Sequence, residues 1–515
     1  MKFNIKNMLR PEVFDHPVKN IELIETHISW VILTGDFAYK IKKPVDFGFL
    51  DFSTLEKRHT CCMNELRLNR RLAAAIYLSV VPITGTRDKP TINADGEAFE
   101  YAVKMNQFPQ SAQLDFMLAA GELDVGHMDA IARMVANFHQ DIDIADDSMD
   151  YGNNDVIYQP VEENFNQIRA HLDIRPYAKT LVSLRSWSNA TFVKLESVFK
   201  QRKSNGFVRE CHGDMHLRNL MWLDTGPTAF DCIEFNAHLR WIDVISDMAF
   251  LVMDLQARQQ YQLANRFLNS YLEVTGDYTG LSVLPFYLCY RALVRAKVDA
   301  LLVEQKNSTQ QDGQQSLAEF ESYLQLAKTY THVTTPKLII TRGLSASGKS
   351  TVSQQLIDAM GMIRIRSDVE RKRLFAAALT DKTSNEINAG IYSTQASQQT
   401  YAKLAELTSQ VIGAGYSVIV DAAFLKYEQR EPFQQLAERL GVAYIILEIT
   451  APENVLRQRI IERRRDVSDA DLVVLEHQLA NWQPLHQDEK NNAISVNTGD
   501  AFEMDALVKG INLDF

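Results

Sequence analysis

Residues Lys337–Thr351 read KLIITRGLSASGKST. Leu338-Ile339-Ile340 is a short apolar run of the kind a buried strand uses. It feeds Gly343-Leu344-Ser345-Ala346-Ser347-Gly348-Lys349-Ser350, which fits G-x-x-x-x-G-K-[ST], and a helical pattern over Val352–Met360 follows at once. Gly343 and Gly348 permit the backbone angles that turn successive N–H groups into one concavity, where phosphate oxygens fit. Lys349 adds a mobile cation for the β- and γ-phosphates of ATP, and Ser350 offers a hydroxyl to Mg²⁺. Ser345, Ala346, Ser347 and Thr351 complete the cradle at a helix N-terminus that favours anions. A Gly/Ser-rich linker turn, the bland alternative, needs neither the strand before nor the helix after.

Downstream, Ile363–Ile365 is a second short strand ending at Arg366-Ser367-Asp368, with Arg371 and Arg373 beyond. A helix over Ala396–Gly413 precedes the strand Ser417–Val420, which Asp421 terminates. Helix Glu428–Leu440, strand Ala443–Ile449, helix Pro452–Arg465 and strand Ala493–Val496 follow. Continuous apolar strands alternating with helices predict an α/β domain with a parallel, doubly wound sheet. In such sheets ligands sit beyond the carboxyl ends of the strands, where Asp368 and Asp421 both fall. Arg457, Arg459 and Arg463 lie on one helix, a spacing that also suits mere solvation.

Upstream, Lys306–Gln315 (KNSTQQDGQQ) is the most polar stretch of the chain, and a helix over Ser316–Tyr330 leads to Thr334-Thr335-Pro336. These features place the main boundary near residue 332, giving domains 1–110, 111–332 and 333–515. Before it, Ser29–Leu33 and Phe37–Lys43 flank the turn Thr34-Gly35-Asp36 and predict a β-hairpin. Alternation puts Ala38, Lys40 and Lys42 on one face, which on its own reads as a solvated face. A helix over Ser53–Ala75 carries Glu65, on its own a surface carboxylate. Strands are expected at Val80–Ile83 and Phe99–Phe108, and helices over Met128–Gln140, Val161–Ala170 and Leu181–Lys203.

The second chemical stretch is VRECHGDMHLRNL, Val208–Leu220. It precedes a hairpin, Met221-Trp222-Leu223 and Thr228-Ala229-Phe230, that ends in Asp231. An Asp able to accept a hydroxyl proton, an amide five residues on and a second Asp across a hairpin suit phosphoryl transfer. His212 and His216, four apart without a helix pattern, do not suggest a zinc pair. Helices follow from Asp243 to about Val303, where Arg291, Arg295 and Lys297 form a basic stripe that reads as a solvated face.

The chain has 515 residues, 46% of them hydrophobic and 23% charged, with a formal net charge of −11. That balance argues against broad binding to nucleic acid or to anionic membranes. The five cysteines are sparse, odd in number and without metal-ligand spacing, which suggests reduced thiols. No apolar run spans a bilayer and MKFNIKNMLRPEVFDH has no signal-peptide core, so the cytoplasm is the expected place.

HGDMHLRN resembles the H-G-D-x-x-x-x-N catalytic loop of the aminoglycoside phosphotransferase branch of the protein-kinase-like fold. The resemblance implies an α+β bilobal domain, with Asp214 as catalytic base, Asn219 and Asp231 as Mg²⁺ ligands, and Asp247 bracing the loop. It makes Lys40 the phosphate-binding lysine with Glu65 as its helix partner, Lys42 being a rival on the same face, and sets Gln107 and Phe108 near the adenine. The sequence departs from the pattern in one place: Glu25-Thr26-His27-Ile28-Ser29 stands where a Gly-rich loop belongs. Residues 333–515 resemble P-loop kinases of the zeta-toxin, gluconate-kinase and polynucleotide-kinase type. That resemblance implies Asp368 as base, Arg371 on a substrate phosphate, Asp421 as a Walker-B-like metal ligand and an arginine such as Arg463 on transition-state charge. The whole reads as an ATP/Mg²⁺-dependent phosphotransferase acting on hydroxyls of small molecules. The alternatives are a regulatory protein with one inactive half and a polynucleotide or toxin-like kinase.

Overall fold

Strands β1 (Glu22–Glu25), β2 (Ser29–Leu33), β3 (Phe37–Lys42), β4 (Tyr77–Thr86), β5 (Lys89–Ile92) and β6 (Glu100–Asn106) form one sheet in the order β1-β2-β3-β6-β4-β5. Every pairing in it is antiparallel. The computed structural model describes residues 3–46, 50–305, 310–375, 393–462, 472–500 and 502–513. Ile32, Tyr39, Ile41, Val81, Ile83 and Ala102 make the core on one face of the sheet. On the other face Ala38, Val103 and Met105 meet Cys62 and Ala73 of the helix Leu55–Ala73. Thr54 caps that helix, its hydroxyl accepting the Lys57 amide at 3.2 Å. β1 and β5 were not expected from the sequence because ELIE and KPTI lack a strand's alternation. Both are edge strands, where polar residues and a proline are tolerated.

The chain divides into two compact units, Met1–Asp254 with Phe286–Ala327, and Leu255–Pro285 with Lys328–Phe515. The first is an α+β unit, the antiparallel sheet followed by a largely helical part. After its sheet come the helices Val125–Asp141, Asn154–His171, Ala178–Ser204 and Val244–Ala257, and later Leu284–Gln305. Among them sit β7 (Val208–Glu210), β8 (Leu220–Leu223), β9 (Gly226–Ala229) and β10 (Trp241–Asp243). β7 pairs with β10 and β8 with β9, both antiparallel.

The second unit is an α/β P-loop domain built on β11 (Lys337–Arg342), β12 (Ile363–Arg366), β13 (Val418–Asp421), β14 (Ala443–Thr450) and β15 (Ala493–Asn497). The order β12-β13-β11-β14-β15, parallel throughout, is that of a doubly wound sheet. Ile339, Ile419, Ile445 and Leu447 pack with Val352 and Leu356 of the helix Lys349–Met360 to form its core. The sequence kept Leu255–Pro285 in the helical lobe, yet the helix Tyr261–Thr275 lies against the outer edge of β12 in this unit. Asn269 Oδ1 accepts the Arg364 amide at 2.8 Å, and its Nδ2 donates to the Met362 carbonyl at 2.9 Å. One side chain thereby satisfies two backbone groups on an edge that no further strand covers among the described residues.

Candidate active sites

In the first unit, the stretch His212–Asn219 is held by Asp247 on the helix Val244–Ala257. Its carboxylate accepts the amides of His212 at 3.0 Å and Gly213 at 2.8 Å, and meets His139 Nε2 at 3.1 Å. Arg291 donates to the Gly213 carbonyl at 2.9 Å and to the Ser246 carbonyl at 3.0 Å. The expected solvated stripe is therefore corrected: Arg291 is buried, and its guanidinium serves two backbone carbonyls. Burial also pushes Lys297 down, to about 8. Gly213 has φ +86°, and a Cβ there would stand 2.7 Å from the Leu239 carbonyl oxygen, so only glycine fits.

Asn219 Nδ2 donates to Asp214 Oδ2 at 2.8 Å and to its carbonyl at 3.0 Å. His216 Nε2 lies 3.4 Å from the same carboxylate. Burial pushes the Asp214 carboxyl up, but His216, His212 and Arg295 outweigh it and hold the group below the ordinary range. His212 Nε2 is 2.9 Å from the Phe230 carbonyl and His216 serves Asp214, so the two histidines do not converge as a metal pair. Asp231 follows β9 with φ +62°, a left-handed angle that a non-glycine holds only when its surroundings fix it. Tyr77 Oη accepts its amide at 3.2 Å, and Asn69 Oδ1 accepts the next one, Cys232, at 2.9 Å.

The lysines of β3 close the site. Lys40 Nζ is 2.8 Å from Glu65 Oε1 and also pairs with Asp231. Lys42 Nζ is 2.5 Å from Glu65 Oε2 and pairs with Glu234. Lys42 and Glu65 are wholly buried. The solvated face and the surface carboxylate expected from alternation alone are thus both corrected: the helix Leu55–Ala73 covers that face, and the charges survive burial because they are paired. Asp214, Asn219, Asp231, Lys40 and Glu65, spread over 192 residues of sequence, meet in one place. Glu234 was missed, although a carboxylate inside the apolar run Cys232-Ile233-Glu234-Phe235 signals a buried charge in need of a partner. At the β1–β2 turn, the Thr26 hydroxyl accepts the Ser29 amide at 3.0 Å and the Thr26 amide donates to the Ser29 carbonyl at 2.9 Å. That turn bonds to itself. Gln107 Oε1 accepts the Gly35 amide at 2.9 Å, while Phe108 packs edge-on against Phe230.

In the second unit, Gly343 could carry no side chain: a Cβ would stand 2.3 Å from the Ile449 carbonyl oxygen. Ala346 at φ +63° and Gly348 at φ +91° give the loop the left-handed turns of an anion nest. Gly348 caps the helix without a side-chain bond, so the first-turn N–H groups of Lys349, Ser350 and Thr351 have no carbonyl partner inside the helix. The Ser347 hydroxyl is buried and has no hydrogen-bond partner among the described residues. Lys349 Nζ folds back on the carbonyls of Gly343, at 3.0 Å, and Leu344, at 2.8 Å. Ser353 Oγ stands 3.2 Å from both the Ser350 carbonyl and Asp421 Oδ2, tying the metal-ligand candidates Ser350 and Asp421 together. These features fit a phosphate chain with a divalent cation.

Asp368 is the second residue of the short helix Ser367–Leu374. Burial pushes its carboxyl up; Arg371 and Arg366 pull it down, Asp421 pushes it up again and Lys349 pulls down, with the net shift upward. Arg371 is buried, 3.4 Å from Ser397 Oγ. Glu273, on the helix Tyr261–Thr275, holds Arg364 at 3.1 Å and Arg366 at 2.9 Å. Of the arginines on the helix Glu453–Glu462, Arg459 reaches the loop, donating to the Ala346 carbonyl at 3.2 Å and to Thr498 Oγ1 at 2.9 Å. Arg457 pairs with Glu453 and Glu476 instead. Arg463 lies outside the described residues. Gln478 was missed: its Oε1 accepts the Ser345 amide at 2.7 Å, and no sequence spacing announces it.

Residues 338–485 match the AAA domain family AAA_33. The AAA domain match covers the P-loop, Asp368, Asp421 and Arg459. Across nearly its whole length the chain is similar to the uncharacterized protein Rv2004c of Mycobacterium tuberculosis, with 28% identity over 495 residues, 95% of this chain and 97% of that one. Among solved structures, amicoumacin kinase hAmiN in complex with AMP-PNP, Ca²⁺ and Ami shares 11% identity, with a TM-score of 0.40, over 61% of this chain and 90% of its own. A sugar kinase from Janibacter sp. HTCC2649 shares 20% identity, with a TM-score of 0.26, over 34% of this chain and 92% of its own.

Proposed function

We propose that the chain is an ATP- and Mg²⁺-dependent phosphotransferase with a nucleotide site in each unit, each serving the hydroxyl of a small-molecule acceptor. The observation that carries the reading is the convergence, in each unit, of a lysine, a metal-ligand set and a half-buried aspartate. In the first unit Asp214 takes the acceptor proton, Asn219 orients its carboxylate, and Lys40 binds phosphate once it leaves Asp231. Asn219 and Asp231 hold the metal. In the second unit the amides of the 343–351 loop and Lys349 cradle phosphates, Ser350 and Asp421 hold the metal, and Asp368 is the base. Arg371 faces the acceptor, and Arg459 secures the loop. Bound Mg²⁺ supplies charge neutralisation on the phosphates in either site.

The test is transfer of label from ATP to a metabolite extract by the intact chain, by Asp214→Ala, by Lys349→Ala and by the double variant. Each single variant should lose a different labelled product and the double variant both; full transfer by the double variant sinks the proposal. Intact chains are needed because Leu255–Pro285 belongs to the second unit, so a cut near 332 removes part of it. The self-bonded Thr26–Ser29 turn favours a second reading, in which the first unit binds nucleotide without turnover. Binding of ATP by the Lys349→Ala chain with no transfer to any acceptor would establish that reading. Labelling of a 5′-hydroxyl oligonucleotide tests the polynucleotide alternative, which the acidic balance of the chain opposes.

A further inference from the structure

The first site contains a second lysine that cannot serve phosphate. Lys42 is wholly buried, its ammonium 5.5 Å from the Phe52 ring centroid and enclosed by Glu65 and Glu234. Lys40, two residues earlier on the same face of β3, retains 12% exposure and touches Asp231, which is 43% exposed. Only Lys40 borders open space. Glu65 is divided between them, one oxygen to each. The five charges are two lysines against three carboxylates, and the interior three (Lys42, Glu65 and Glu234) carry one excess negative charge that Lys40 balances from the cleft side.

We propose that Lys42 is a positioning residue: by neutralising Glu234 it leaves Lys40 at the cleft, free to exchange Asp231 for phosphate. This deepens the nucleotide-site reading of the first unit and rests on it. Remove Lys42 and two buried carboxylates face one remaining cation; Lys40 is drawn inward between Glu65 and Glu234, because uncompensated buried charge is the costlier alternative. Remove Glu234 instead and the two lysines stay balanced by Glu65 and Asp231, so Lys40 keeps its place. Remove both and the balance around Lys40 returns. An ion pair with a merely structural role predicts otherwise: either single loss strands the partner's buried charge, so the two single losses would do comparable harm.

The experiment uses the full chain carrying Lys349→Ala, so that Mg²⁺ and a fluorescent ATP analogue report on the first site. Lys42→Met should weaken binding by about tenfold or more, Glu234→Gln by no more than about threefold, and the Lys42→Met/Glu234→Gln pair should return to within about threefold of the background. Equal losses in the two single variants, or a double variant no better than Lys42→Met, overturn the proposal. Should Lys42→Met not fold, by circular dichroism and melting, Glu234→Gln and the double variant decide together: near-background binding in both supports the proposal, and weak binding in either overturns it. Should the Lys349→Ala chain bind no nucleotide before the cluster is touched, the first-site reading itself fails and the proposal with it, a result distinct from the others.

Discussion

Lys40 and Lys349 are assigned the same task and are held in opposite ways. Lys349 rests on two carbonyls of its own loop, five and six residues back. Lys40 rests on carboxylates from a helix and from a hairpin end 191 positions along the chain. The second site is therefore a property of one contiguous backbone path, made by angles that few residues adopt. The first is a property of the folded unit, made by charges that only tertiary structure brings together. The one should break on changes of backbone shape and the other on changes of charge.

Charge first. Asp214→Ala should cut transfer by the first site by about 10²- to 10⁴-fold, the usual contribution of a general base, while the product of the second site is unchanged. Comparing the two labelled products in one reaction checks this; an equal fall in both would mean the sites are not independent. Backbone shape comes next. Gly343→Ala forces a Cβ to 2.3 Å from the Ile449 carbonyl oxygen, a clash with backbone rather than with a side chain that could rotate away. The expected cost is about 3 kcal/mol in the unfolding of the second unit, the upper end for overpacking. Denaturant titration followed by probes in each unit should show one transition moved and the other not. A smaller effect is expected at Asn269→Ala, which exposes the Arg364 amide and the Met362 carbonyl on the β12 edge. About 2 kcal/mol should be lost, again from the second unit, although residue 269 precedes the P-loop by some seventy positions.

That last case marks the limit of what the sequence discloses. Gly343 to Thr351, and the strands and helices around them, are legible because loop chemistry and apolar periodicity are local. His212 to Asn219 is legible for the same reason. Lys40 and Glu65 are different: alternation and helical spacing say which residues share a face, not what will cover it, and both suggested solvent until the resemblance paired them. Lys42 with Glu234 goes further, since each charge is explained only by the other. The helix Tyr261–Thr275 has a clear apolar face, yet periodicity does not name the surface it meets, and the polar residues on it, Asn269 and Glu273, are the ones that specify β12. Gln478 and Arg459 reach the P-loop from more than a hundred residues away, with no spacing rule to announce them.

The subtlest contrast is in the two proposed bases. Burial raises both carboxyls, but Asp214 has His216 and His212 close by, and its net shift is downward. At Asp368 the pull of Arg371 and Arg366 does not overcome burial together with Asp421, and its net shift is upward. A base works only when deprotonated, so a raised carboxyl loses its working form at higher pH than a lowered one. Acidification from about pH 7 towards about pH 5 should therefore diminish transfer by the Asp214→Ala chain, which retains the second site, before it diminishes transfer by the Lys349→Ala chain. The ratio of the two rates should fall steadily as the pH drops. A ratio that stays flat, or rises, would show that Asp368 is not the group whose proton limits the second reaction, and attention would turn to Asp421, the neighbouring carboxylate at the end of β13.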